Sequence, residues 1–182
     1  SVDGVTGWGW IPFPAGAGAE VVEIIRAAAA RAADGPNITV GAPLPDVAGF
    51  RNSHRQAQLA RDVLLSSDSA GRRVATAADA GLMMAALLGD RVADAAVWVG
   101  GVLGPLATDS ENDERLRETL RIFLRTGASY KAAGDELHLH VNSVRYRVQR
   151  AIERRGRPID TDRLDVEVAL VLCEYYGSAV LA

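Results

Sequence analysis

At 182 residues, with 48% hydrophobic and 24% charged side chains, the chain can form one domain or two small ones and has an ordinary globular composition. A single cysteine, Cys173, excludes an internal disulfide and points to a reducing cytoplasm, and no apolar run approaches the ~20 residues that span a bilayer. The net charge of −3 excludes a uniformly basic surface, yet residues 115–157 hold ten arginines and Lys131 against four carboxylates, a surplus of +7 against −10 for the rest.

In chain order, GVTGWGWIPF (4–13) alternates small and bulky side chains and predicts a strand with Trp8 and Trp10 on one face. AGAG then opens a helix through AEVVEIIRAAAARAADG, which Gly35-Pro36 stops. PAGAGAEVVE has the glycines of a phosphate loop but neither the full G-x-G-x-x-G spacing nor a Walker lysine, so a turn before a helix is the reading. NITVGAPL predicts a short strand. DVAGFRNSHRQAQLARDVLLSS predicts a helix capped by Asp46, with Phe50, Ala57, Val63 and Leu64 on its apolar side. Ser53 and His54 are adjacent on that helix and form no nucleophile–base pair. GRRVATA predicts another strand and residues 78–88 a helix, so the first 90 residues form a small α/β unit. Because the chain has no initiator methionine and opens inside the expected strand, it is expected to be a fragment of a longer protein.

Beyond Arg91 no further strands are expected. VADAAVWVGGVLGPLA is ambiguous, since Gly100-Gly101 weakens a helix or a strand alike. ATDSENDE predicts an acidic linker around 107–114 that also caps the next helix. Four helical segments follow: ERLRETLRIFLRTG, SYKAAGDEL, VNSVRYRVQRAIERRG and DRLDVEVALVLCEYYG.

The middle two carry the signal. Ser129 is a sound N-cap, Ala132 and Ala133 allow a close helix crossing, and three residues separate this short helix from a longer one. Val144, Val148 and Ile152 form the inner stripe of the second helix, and Arg145, Arg147, Arg150, Arg154 and Arg155 surround it. Asn142 and Ser143 occupy its first turn, the part of a recognition helix that enters the major groove. Two plainer readings stand beside this: a solvated arginine face, or a face that docks on an acidic protein surface. His138 and His140 face opposite ways on a helix and lack further ligands, so a metal site is discounted, and His140 is expected to cap the second helix.

LHLHVNSVRYRVQRAIERRGRPIDTDRLDVEVAL closely resembles the C-terminal helix-turn-helix of the PucR/CdaR family of bacterial transcription regulators. The resemblance rests on Leu139, His140, Asn142, Ser143, Arg145, Tyr146 and Arg147, then Asp162, Arg163, Leu164, Ala169 and Leu170. Upstream, VLGPLA, LRETLRIFLRTGAS and AAGDEL are similar to the family's approach to this motif. VGAPLPDVAGFRNSHRQAQLARDVLL resembles its central domain, a degenerate relative of the GGDEF nucleotide-cyclase fold. The resemblance favours a helix for VADAAVWVGGVLGPLA. Two departures concern the reading helix: Val141 stands where the family often has arginine, and Ser143 where it commonly has threonine. A third concerns catalysis, because Gly100-Gly101 is followed by Val102-Leu103 and not by metal-holding carboxylates.

What the resemblance implies is an α+β chain: a small α/β GGDEF-like domain, degenerate and truncated, over residues 1–90, then an all-α helix-turn-helix bundle over 91–182. The expected DNA contacts are Ser129, Lys131, His140, Val141, Asn142, Ser143, Arg145, Tyr146, Arg147 and Arg150. Catalytic residues, cofactors and metals are not expected. The expected partners are double-stranded DNA and a second copy of the chain, with a small-molecule effector bound by a region outside it and no membrane.

Overall fold

The computed structural model describes residues 6–14, 16–32, 35–66 and 73–182. The chain is α+β. Two three-residue strands, β1 (Ile38–Val40) and β2 (Val74–Thr76), pair in parallel with Ile38 opposite Val74. Parallel strands need a long crossover, and α2 (Asp46–Ser66) supplies it. The Asp46 carboxylate accepts the Gly49 amide at 2.9 Å and so caps α2 as expected. Before the sheet runs α1 (Gly18–Arg31).

The strand expected over 4–13 is not there. Residues 6–14 are irregular, and residues 4 and 5 lie outside the described residues. Trp8 and Trp10 do face the same way, but onto a helix: Trp8 meets the His54 ring edge-on at 4.6 Å, and Trp10 stacks on Phe50 at 5.2 Å. Alternation of bulky and small residues is satisfied equally by an extended segment whose rings lie across α2.

β2 is buried along its length. The helix expected over 78–88 is shorter, α3 (Leu82–Leu87), because the Asp79 carboxylate takes the Thr76 amide at 3.0 Å and its hydroxyl at 2.9 Å, fixing a turn first. The ambiguous segment is α4 (Val92–Leu103), followed by a 3₁₀ turn, Gly104–Ala107. Then come α5 (Glu111–Arg125), α6 (Tyr130–Leu137), α7 (Val141–Arg155) and α8 (Arg163–Tyr176). Much of the acidic 107–114 stretch is therefore the first turn of α5, and Asp113 is buried. No helix of the described residues is long and apolar enough to cross a membrane.

One apolar cluster runs from Ala60, Val63, Ala75 and Leu82 through α4 and α5 to Val144, Val148, Val166 and Leu170. Residue 90 therefore marks no break in packing. Two α8 tyrosines reinforce the seam: Tyr175 donates to the Ala80 carbonyl at 3.0 Å and Tyr176 to that of Ala85 at 2.8 Å. Cys173 is buried in the same helix, and burial pushes its thiol up to about 11, an unreactive form at neutral pH.

Candidate nucleic-acid interface

Ser129 starts α6 by accepting the Ala132 amide at 3.2 Å. His138, in the left-handed region at φ 53°, ends it. His140 then starts α7 within three residues: its Nδ1 accepts the Asn142 amide at 3.2 Å. Gly156, at φ 82°, closes α7. The expected limits of this helix, 141–155, are those observed.

Contact between α6 and the turn depends on a residue that composition alone does not mark. A Cβ on Gly134 would lie 2.7 Å from the Leu139 carbonyl oxygen, while the Gly134 carbonyl accepts the Leu139 amide at 2.9 Å. Beneath this crossing Ala133, Val144, Val148 and Ala151 are buried.

The outer side of α7 presents Asn142, Ser143, Arg145, Tyr146 and Arg150 as exposed groups, with Val141 and Arg147 half-buried at its margins. Positions 142, 146 and 150 form one row at helical spacing. Tyr146 is 66% exposed, an expense in apolar surface that packing within the chain does not repay. The Arg145 guanidinium lies 5.3 Å from the Tyr130 ring centroid, and Tyr130 stacks on Phe123 at 4.6 Å, so Arg145 is held beside exposed Lys131. Arg150 pairs with Glu153 at 2.8 Å. Lys131 and Arg147 have no ion pair among the described residues.

Arg154 and Arg155 do not belong to this outer face. Arg155 is buried: its guanidinium donates to the Val102 carbonyl at 2.9 Å and the Pro158 carbonyl at 2.7 Å and pairs with Asp162. Arg154 reaches back 3.0 Å to Asp113. Much of the basic surplus is likewise engaged by partners within the chain. Arg117 holds the Leu106 and Thr108 carbonyls at 2.8 and 2.7 Å, Arg121 pairs with Glu174, and Arg125 with Glu136. A signal for Arg155 lay in the sequence. Val144, Val148, Ala151 and Arg155 fall at i, i+4, i+7 and i+11, the buried side of one helix.

Asp113 ties the two ends together. Its carboxylate accepts the Ser110 hydroxyl at 2.8 Å while Ser110 Oγ accepts the Asp113 amide at 3.2 Å, so the α5 cap and Arg154 share one group. Burial pushes the carboxyl up, but hydrogen bonds from Arg154 and Ser110 with the charges of Arg154 and Arg117 outweigh it and hold it below its usual 3.8. A carboxyl with its folded pKa depressed contributes stability that is complete above about pH 4 and lost as pH falls through the folded value. Asp113→Asn is expected to cost about 1.5–3 kcal/mol at neutral pH and to flatten this acid limb, read as melting temperature against pH.

His138 is exposed in the turn and His140 is occupied as a cap, while His54 lies against Trp8 and Trp10. Among the described residues no three His, Cys, Asp or Glu side chains gather as metal ligands. Gly100 and Gly101 lie inside α4 and form no turn.

Residues 116–172 match the PucR C-terminal helix-turn-helix domain, and residues 1–63 match a GGDEF-like domain. Comparison with curated proteins and with solved structures gives no match. The first match takes in the Ser129-capped α6, the three-residue turn and the whole of α7, so the helix pair described above is a DNA-binding module. With a GGDEF-like domain before it, the chain has the architecture of the PucR/CdaR transcription regulators.

Proposed function

We propose that this DNA-binding regulator inserts α7 into the major groove and controls catabolic or metabolic genes from the cytoplasm, with its effector held by a region outside this chain. The observation that carries the reading is the division of α7: its inner row is sealed in the core, while Asn142, Ser143 and Tyr146 stand exposed. On this reading Asn142 and Ser143 read base edges from the first turn, and Val141 meets a thymine methyl where the family often has arginine. Arg145, Arg147 and Arg150 hold phosphates, joined by Lys131 and the Ser129 end of α6. His140 serves by fixing the first turn through the Asn142 amide. The GGDEF-like part acts as scaffold and not as a cyclase, since residues 1–90 carry no Gly-Gly-Asp/Glu-Glu-Phe sequence that would hold a metal. Binding is by a homodimer on two half-sites about one helical turn, ~34 Å, apart.

Fluorescence titration of the intact protein with its upstream DNA at two salt concentrations tests this. Specific affinity is expected to fall steeply with salt as counterions return to the phosphates. Arg147→Ala is expected to weaken binding to every sequence and lower the log–log salt slope by about one. Asn142→Ala is expected to relax base preference at one position, by about 1–3 kcal/mol of discrimination. If both variants bind the operator like the parent, α7 is not the reading helix. Binding of this face to an acidic protein surface, with no specific DNA complex, would replace the proposal.

A further inference from the structure

α4 carries a face that the other described residues leave uncovered. Ala95, Val99, Val102 and Leu103 are buried, while Ala93, Asp94, Val97, Trp98, Gly100 and Gly101 are exposed. At 3.6 residues per turn those six positions span one arc of about 160°. Only Asp94 among them is polar. Val97 is 80% exposed at its centre, and Trp98 is 38% exposed beside it. A surface helix ordinarily places charges there. Gly100 and Gly101 weaken a helix by roughly 0.5–1 kcal/mol each relative to alanine, and no described atom approaches within 4 Å of where their Cβ atoms would be. Packing within the chain gives no reason for either glycine, whereas a second backbone coming close to this arc would.

The charges at the two ends of α4 say what that second element is. Asp94, in the first turn, has no ion pair among the described residues. At the other end Arg157 donates to the Gly101 carbonyl at 3.1 Å and the Val102 carbonyl at 3.0 Å, and it shares Asp162 with Arg155. Two guanidiniums on one carboxylate leave that end positive. An antiparallel pair of α4 helices centred on Val97 and Trp98 sets Asp94 of each copy opposite residue 101 of the other, beside its Arg157 end. Parallel pairing would instead set Asp94 against its own copy. The self-complementary arrangement is the one a two-fold dimer needs.

We propose that the exposed arc of α4 is the dimer interface, occupied by the antiparallel α4 of a second copy. The proposal rests on the dimeric reading above and gives it a surface. It also links assembly to DNA geometry, since Arg155 ties the C-terminal end of α7 to the Val102 carbonyl of α4. The distance between two α7 helices is then set by the α4 pair.

Sedimentation velocity on the intact chain tests it. The parent is expected to be a dimer. Val97→Asp is expected to be monomeric with an unchanged melting temperature, because Val97 is almost free of contacts within the chain. Asp94→Arg is expected to weaken the dimer. Affinity for paired half-sites should fall about a hundredfold or more in Val97→Asp, as the second site loses its tether, while affinity for a single half-site stays level. A Val97→Asp protein that remains dimeric overturns the assignment to α4 and leaves the dimeric reading intact. A parent that is monomeric at all concentrations overturns both. An Asp94→Arg dimer as tight as the parent's overturns the antiparallel order.

Discussion

Arg155→Ala is expected to lower stability by about 3–5 kcal/mol, roughly 10 °C in melting temperature for a chain of this size. The side chain is fully buried, and it supplies the partners of three oxygen-bearing groups at once: the Val102 carbonyl, the Pro158 carbonyl and the Asp162 carboxylate. Alanine leaves the Pro158 carbonyl short of a donor, and the Val102 carbonyl and Asp162 with Arg157 as their remaining guanidinium. Arg155→Lys is expected to recover only part of the loss, because a single ammonium cannot reproduce the planar fork that reaches carbonyl and carboxylate together. Chemical denaturation measures both variants. A loss in Arg155→Ala within about 1 kcal/mol of the parent, the range of an exposed pair, would mean that the buried clamp contributes nothing of its own.

The second large effect is expected from Gly134→Ala. Alanine is the better helix former by about 1 kcal/mol, so propensity alone favours the variant. Geometry reverses the sign, because the new Cβ would lie 2.7 Å from the Leu139 carbonyl, which belongs to the backbone of a three-residue turn. Relief requires α6 and the turn to separate, at a cost of about 1–3 kcal/mol as for other overpacked sites. The same shift moves the His140 cap and with it the first turn of α7. DNA affinity is therefore expected to fall by more than the change in global stability predicts. An unfolding curve and a DNA titration on one preparation separate the two. Full DNA affinity in the variant would show that the crossing tolerates a wider gap than the Gly134–Leu139 contact implies.

The helix pair was legible in the sequence because its punctuation is local. Ser129, His140 and Gly156 each act on amides or carbonyls within a few residues, so type and spacing suffice to place α7. The two short strands followed from β-branched residues between turn formers. What could not be read was decided by distant partners. Trp8 and Trp10 alternate as a strand would, but no neighbouring strand pairs with them and the rings lie on α2. Arg154 looks like solvated charge until Asp113 is brought to it from α5. The local surplus of +7 consequently overstated the basic surface, since it counted internal braces together with exposed groups such as Lys131 and Arg145. Nothing local in the sequence marks Gly134, because its reason is a carbonyl across the turn.

The tyrosine bonds from α8 to Ala80 and Ala85 bear on how a signal can cross this molecule. With Leu82 and Val166 in one apolar cluster, the α/β part and the helical bundle share a continuous core among the described residues. Swinging one against the other would strip two buried hydroxyls of their acceptors and open the core. A displacement that keeps these contacts is a small slide of packed helices past one another. A message arriving at β2 or α3 would then be felt at α7 as a change of packing register beneath Val144 and Val148, and not as the turning of a rigid arm.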